Sequence, residues 1–267
     1  MIRAALEGGK HVYTEKPLAT TVEEGAELVA RANGLGLRLG CAPDTFLGSA
    51  YKTGRALIEA GEIGEPLGLA ATMLVGGPDS WHPNADVFYR AGSGPMLDIA
   101  PYYLTAMIAL AGPFAAAGAL AATPTTMRTF GAGPRTGETF AVQVPTLVAA
   151  VLELERGALA TLTVSFEARG QYVSSLMVYG EAATLSLPDA NSFGGEVRIK
   201  RGSDQWAAVP YELQGPRETR GIGLDELVVA MRDGRPHRAS GALGLHVLET
   251  ATAVLRSADE RRVIEVV

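Results

Sequence analysis

Residues that bind metals or make cross-links are few in this chain. The 267 residues include one cysteine, Cys41, and four histidines, His11, His82, His237 and His246, scattered along the sequence. A single cysteine excludes an internal disulfide and suits a reducing compartment, so the expected location is the cytoplasm. Histidines this far apart offer no clustered ligand set, and no metal is expected. Lysine is equally scarce, limited to Lys10, Lys16, Lys52 and Lys200. With a net charge of −6 and no Lys/Arg run beside an aromatic platform, the chain lacks the electrostatic footprint of a nucleic-acid binder.

Neither a targeting signal nor a membrane span is expected. Glu7 and Lys10 stand where a secretory signal needs an apolar core. The stretch from Ile99 to Met127 carries no charge, and on length alone it would cross a bilayer. Pro101, Gly112, Pro113 and Pro124 interrupt it, and its Ala-rich second half is only weakly apolar, so it reads as a buried helix followed by a strand.

What is present is a globular composition, 47% hydrophobic and 19% charged. Ala4 to Gly8 reads as a helix end, His11–Thr14 as a strand, a helix follows the cap Thr20-Thr21 and ends at Asn33-Gly34, and Leu37 to Ala42 is the next strand. This is the βαβ pattern of a parallel, doubly wound sheet, in fragment form. Beyond a boundary placed near Thr45 the spacing changes. A helix from Tyr51 to Ala60 leads into strands at Leu67–Val75, Ala116–Ala122, Leu147–Leu154, Leu159–Phe166, Leu176–Tyr179 and Val197–Lys200, with a helix over Pro95–Leu110 and two more at Leu224–Arg232 and Leu243–Ser257. The expected fold class is therefore α/β: residues 1–45 belong to a Rossmann-like parallel sheet, and residues 46–267 form an α+β unit whose large, open, mostly antiparallel sheet is covered on one face.

No phosphate-binding glycine loop fits. Gly92-Ser93-Gly94 is followed by Leu97 where a third glycine belongs, Gly221-Ile222-Gly223 by Glu226, and Gly9-Lys10 has Ala4 and His11 where a P-loop needs Gly and Ser or Thr. Glu15-Lys16-Pro17 is a better candidate, because it lies at the carboxyl end of a parallel strand, where open α/β sheets place ligands. Lys16 there polarises a hydroxyl or carbonyl, or else is a solvated surface lysine. Asp98 and Tyr102 are four residues apart and share one face of a helix. An aspartate among apolar neighbours needs a cation or caps a helix. Trp81 and His82, in a proline-rich loop, either line a pocket, with the ring for stacking and the imidazole for hydrogen bonds, or pack on their own domain.

The run from Ala4 to Ala19, centred on Gly8-Gly9-Lys10-His11-Val12 and Glu15-Lys16-Pro17-Leu18-Ala19, resembles the signature of the glucose-fructose oxidoreductase, inositol dehydrogenase and rhizopine catabolism (Gfo/Idh/MocA) family. Ile58–Gly64, Leu97-Asp98-Ile99 and Arg220–Leu224 extend the likeness over essentially the whole chain. The resemblance implies an NAD(P)-dependent oxidoreductase acting by hydride transfer on a sugar, polyol or related cyclic compound, and a homodimer or homotetramer formed through the open sheet. It also implies that the strand, glycine loop and first helices of the dinucleotide half precede Met1, so the chain is read as truncated or as a degenerate relative. Lys16 matches the family's active-site lysine, with Glu15 and Pro17 beside it at the cofactor, and Asp98 matches the substrate-positioning aspartate. Tyr102 stands where a histidine acid/base is common; a free phenol, with a pKa of about 10, makes a poor base unless a cation such as Lys16 assists it. Two other readings stay open: a non-catalytic subunit or scaffold that has lost cofactor binding, and an NAD-using glycosidase-like relative.

Overall fold

The computed structural model describes residues 1–211 and 219–266. Its first unit comprises α1 (Ile2–Glu7), β1 (Val12–Thr14), α2 (Val22–Gly34) and β2 (Leu39–Cys41). The two strands run parallel, with Tyr13 opposite Gly40. Helix α2 starts where expected because Thr21 Oγ1 accepts the Glu24 amide at 3.2 Å, and Glu23 and Glu24 place negative charge at its positive end. Leu6, Leu28 and Ala32 of the helices pack on Leu39 and Cys41 as a separate apolar cluster.

The second unit begins with α3 (Ser49–Glu59), β3 (Pro66–Leu74), α4 (Pro95–Asp98), α5 (Ala100–Ala111) and β4 (Phe114–Ala122). A side hairpin, β5 (Met127–Thr129) with β6 (Thr139–Ala141), precedes β7 (Leu147–Leu154), β8 (Leu159–Ser165), β9 (Val173–Gly180), β10 (Ala183–Leu187), β11 (Arg198–Arg201) and β12 (Ala207–Ala208). Helices α6 (Ile222–Arg232) and α7 (Gly241–Glu260) and the short β13 (Ile264–Glu265) complete the order. Nine strands form one sheet in the order β12-β11-β10-β9-β3-β8-β7-β4-β13, parallel at β3–β8 and antiparallel elsewhere. The β7–β8 hairpin turns at Glu155-Arg156-Gly157, where Gly157 takes a φ of 87°.

Alternation along the strands decides the two faces. Val148, Ala150 and Leu152 of β7 and Ala160, Leu162 and Val164 of β8 point into the core under α3, α5 and α7. On the other face the register aligns Gly118, Val151, Thr161, Ala70, Met177 and Ser186 in one row across six strands. Leu120, Val151, Leu159 and Tyr179 stand exposed on that side.

The one helix expected over Pro95–Leu110 is two, α4 and α5, which meet at Ile99. Pro101 explains the break: it has no amide to donate to the Leu97 carbonyl, and it sits in the first turn of α5, where that amide is not needed.

Long-range contacts tie the units together. Asp44 Oδ2 accepts the amides of Gly221 (2.9 Å) and Gly223 (3.0 Å) and so caps α6. Residues 235–240 run along the outer edge of β2: the Cys41 amide donates to Ala239 O (3.0 Å), His237 Nε2 meets Leu39 O (3.0 Å), and Gly40 bridges to Ser240.

Helix α7 is pinned to β4 by His246, whose Nε2 accepts the Phe114 amide at 3.0 Å. Burial pushes this imidazole below its usual pKa, against an opposing pull from Glu155. The unfolded chain, with His near about 6.5, therefore takes up the proton first, so His246 contributes stability above that pH that is lost as the pH falls. Urea unfolding from pH 7 down to 5 is expected to show a shallower loss for His246→Gln than for the native chain; equal slopes would exclude this residue as a cause.

No helix among the described residues is long and apolar enough to cross a membrane.

Candidate active site

Strand β1 ends at Thr14, and the next residues carry Lys16 towards the second unit. Its ammonium donates to the backbone carbonyl of Asp98 at 2.5 Å and to Asp98 Oδ1 at 2.7 Å, joining residues 82 positions apart. Lys16 Nζ also stands 5.1 Å from the centre of the Tyr102 ring. The side chains are 13% and 28% exposed for Lys16 and Asp98, so the pair is sheltered yet reachable. Although the helix breaks between them, Asp98 and Tyr102 both line the same cleft as Lys16, a hollow of about 660 Å³. None of the described residues hydrogen-bonds the Tyr102 hydroxyl. Gly94 makes the turn into α4 with a φ of 88°, where a Cβ would meet Pro145 O at 3.1 Å.

Trp81 forms part of the cleft wall and is 65% exposed. His82 stands behind it, edge-on to the rings of Trp81 and Phe88, and accepts the Asn84 amide at Nδ1 (3.1 Å); it supports the wall and is not among the lining residues. Glu15 and Pro17 flank Lys16: Glu15 is exposed and accepts the Lys16 amide at 3.2 Å, and Pro17 borders a small crevice with Leu97 and Pro101.

The structure adds lining residues with no local signature in the sequence, among them Phe88, Phe166, Gln171, Tyr172 and Asn191. Tyr172 and Tyr103 both donate to Asp189, and burial first, then the carboxylate, pushes both phenols above their ordinary range, so they remain donors. Arg220 lies 5.0 Å from the Tyr102 ring centre and donates to Asn191 Oδ1. Tyr102 thus has two cations close to its ring.

Behind the wall sits Arg128, 1% exposed. It donates to Gly76 O (3.3 Å), Phe166 O (3.0 Å) and Asp79 Oδ1 (3.2 Å), and pairs with Glu167 Oε1 at 2.8 Å. Tyr89 donates to Asp79, while Thr146 (2.5 Å) and Thr125 (2.9 Å) donate to Glu167. Burial pushes the Glu167 carboxyl up, but these hydroxyls and Arg128 outweigh it and hold it below the usual carboxylate range. The wall segments at Gly76 and Phe166 hang on this cation.

A larger hollow of about 850 Å³ opens at the far end of α5, beside Arg55 and Arg156; it touches the Ile58–Gly64 run but holds none of the candidate catalytic or binding residues.

The site fits the nicotinamide end of a dinucleotide. Lys16, just past the carboxyl end of a parallel strand, lines the cleft, and Pro17 beside it borders the neighbouring small crevice. The Gly-x-Gly turns have other duties. Gly221 and Gly223 open α6 with amides already filled by Asp44, and a Cβ at residue 223 would fall 2.0 Å from Tyr13 Oη. That helix end holds a carboxylate, not a phosphate. Among the described residues no group of three His, Cys, Asp or Glu side chains is placed to hold a metal ion.

Comparison with known proteins gives a coherent picture. Residues 1–42 match the model of an oxidoreductase family with an NAD-binding Rossmann fold, and residues 51–186 match the GFO/IDH/MocA C-terminal domain. The 1,5-anhydro-D-fructose reductase of Ensifer adhaerens is 35% identical over 99 residues, which is 36% of this chain and 29% of that protein. A solved NAD binding oxidoreductase from Klebsiella pneumoniae superimposes with a TM-score of 0.86 at 24% identity, covering 100% of this chain and 76% of that one. A levoglucosan dehydrogenase solved with NADH and L-sorbose gives 0.85 at 23%, with the same coverage. At these identities the structural likeness speaks for the fold alone. The chain spans about three quarters of these solved proteins.

Proposed function

We propose that this chain, which belongs to the GFO/IDH/MocA oxidoreductase family, supplies the substrate-holding and proton-moving part of an NAD(P)-dependent oxidoreductase acting on a sugar, polyol or related cyclic hydroxyl or carbonyl compound. The contact between Lys16 and Asp98 beside Tyr102 carries this reading, since it gathers a cation, a carboxylate and an unpartnered hydroxyl from two units into one cleft. The sugar reductase among the relatives supports the substrate class.

Lys16 and Pro17 would hold the nicotinamide end, with Glu15 beside them. When bound, nicotinamide supplies the hydride donor or acceptor. Asp98 fixes the Lys16 ammonium through two contacts and orients a substrate hydroxyl. Lys16 polarises the reacting oxygen, and Tyr102 Oη exchanges its proton. Trp81 offers a ring face for the carbon skeleton, and His82 keeps that ring in place. The test is a hydride-transfer assay, followed by nicotinamide absorbance, across neutral sugars and polyols. Tyr102→Phe is expected to lower turnover by about 10²-fold or more; unchanged turnover would refute the proton role of the tyrosine.

The filled amides at Gly221 and Gly223 favour a second reading, a non-catalytic associating subunit that binds no dinucleotide. A nicotinamide-fluorescence titration separates the two, because tight NAD(P) binding by residues 1–267 would sink the subunit reading.

The row Gly118-Val151-Thr161-Ala70-Met177-Ser186, uncharged and flanked by exposed Leu120 and Leu159, supports association of two or four copies through the open sheet. Val151→Glu is expected to shift the mass in solution to that of one chain, as read by light scattering on a sizing column. A native chain that is already monomeric would refute the association.

A further inference from the structure

We infer that the cleft selects an uncharged polyhydroxy ring and rejects the same ring bearing a phosphate or carboxylate. This rests on reading the cleft as a sugar site and adds the charge of what it holds.

The charged side chains among the cleft's described lining residues are Lys16 and Asp98, of opposite sign and 2.7 Å apart. Their charges cancel within the cleft. Lys16 has three N–H donors and directs contacts to Asp98 O and Oδ1, which leaves one for a ligand. One donor serves a hydroxyl or carbonyl oxygen. A phosphate or carboxylate needs an uncompensated cation or a set of convergent donors to offset its loss of water. Asp98 also repels an anion about as strongly as Lys16 attracts it. Arg220 is near and keeps its charge, since Asn191 Oδ1 is neutral, but it is exposed and does not line the cleft, so water screens most of its pull on an anion. Arg169 is exposed next to Gly170 on the rim, where a single charge in water contributes little.

The remaining lining matches a neutral ring. Tyr102 Oη, the Gln171 amide and the Nδ2 of Asn191 can donate, and Tyr102 Oη, the Gln171 amide and Ser80 Oγ, whose hydrogen goes to Gly77 O, can accept, which is the dual character of a sugar hydroxyl. Trp81, Phe88 and Tyr102 present rings to its C–H faces.

The experiment titrates glucose, myo-inositol, glucose 6-phosphate and glucuronate against the whole chain by ligand-observed NMR, with and without NAD. The neutral compounds are expected to bind at least about tenfold more tightly than their anionic counterparts, in line with the cost of an unpaired charge. Asp98→Asn should reverse this for glucuronate, raising its affinity about tenfold by freeing the Lys16 charge. Equal or tighter binding of either anion by the native chain overturns the inference and leaves the sugar site intact. Binding of none of the four overturns both. Preferential glucose binding without hydride exchange supports the inference and overturns the proposed reaction.

Discussion

Arg128→Met is expected to lower the unfolding free energy by about 3–5 kcal/mol, the usual penalty for stripping the partner from a buried charge. For a chain of this size that is a fall of roughly 10 °C in melting temperature. The Arg128 side chain is 0% exposed, and its carboxylate partners Asp79 and Glu167 are 11% and 17% exposed. Methionine fills much of the volume but leaves two half-neutralised carboxylates facing one another, and the carbonyls of Gly76 and Phe166 lose their donor. Arg128→Lys should cost less, because the charge survives while the planar fork does not. The pH response distinguishes this cause from simple repacking. In the native chain Glu167 sits below its usual pKa, so its contribution is present above the unfolded carboxylate range and lost as the pH falls through the folded value. Without Arg128, acidification neutralises the repulsion instead, and the stability gap to the native chain should narrow between pH 7 and pH 5. A constant gap in urea unfolding would point to packing alone.

Lys16→Met is expected to have the opposite profile: turnover down by about 10²-fold or more, with unfolding free energy within about 1 kcal/mol of native. The Lys16–Asp98 pair is partly exposed, so water takes over much of what each partner loses, whereas no other described residue lining the cleft is a cation. The paired readouts are a nicotinamide absorbance assay and a urea titration. Near-normal turnover, or a large loss of stability, would move Lys16 from the chemistry to the scaffold. Both substitutions remove a cation from a carboxylate, and burial alone sets which property suffers.

Much of this arrangement was legible in the sequence. Thr21 with Glu23 and Glu24 marked the start of α2, and the 2-residue alternation of Leu147–Leu154 and Leu159–Ser165 announced strands with one apolar face. Lys16, Asp98 and Tyr102 were found because a strand end and a four-residue spacing are local features. That spacing served even though its premise, a continuous helix, was incorrect, since Ile99 between α4 and α5 keeps right-handed helical angles and both side chains line the cleft. Arg128 was not legible. In Thr126-Met127-Arg128-Thr129 it resembles any solvated strand residue, and its burial comes from Asp79 and Glu167, which are 49 and 39 positions away. The same holds for Tyr172, Asn191 and Arg220, which reach the site through loops whose course no short pattern records. The side hairpin β5–β6 escaped notice because three-residue strands carry too little alternation to detect.

The strap formed by Asp44, Cys41 and residues 235–240 has a consequence for heredity. A crossover between two relatives near residue 45 would look harmless on a linear map, as it falls between the family matches at 1–42 and 51–186. It would nevertheless set Asp44 and Cys41 of one parent against the Gly221 and Gly223 amides and the Ala239 carbonyl of the other. A hybrid that keeps Lys16 over Asp98 is therefore expected to hold best when the first forty-odd residues and the stretch around 220–240 come from the same parent.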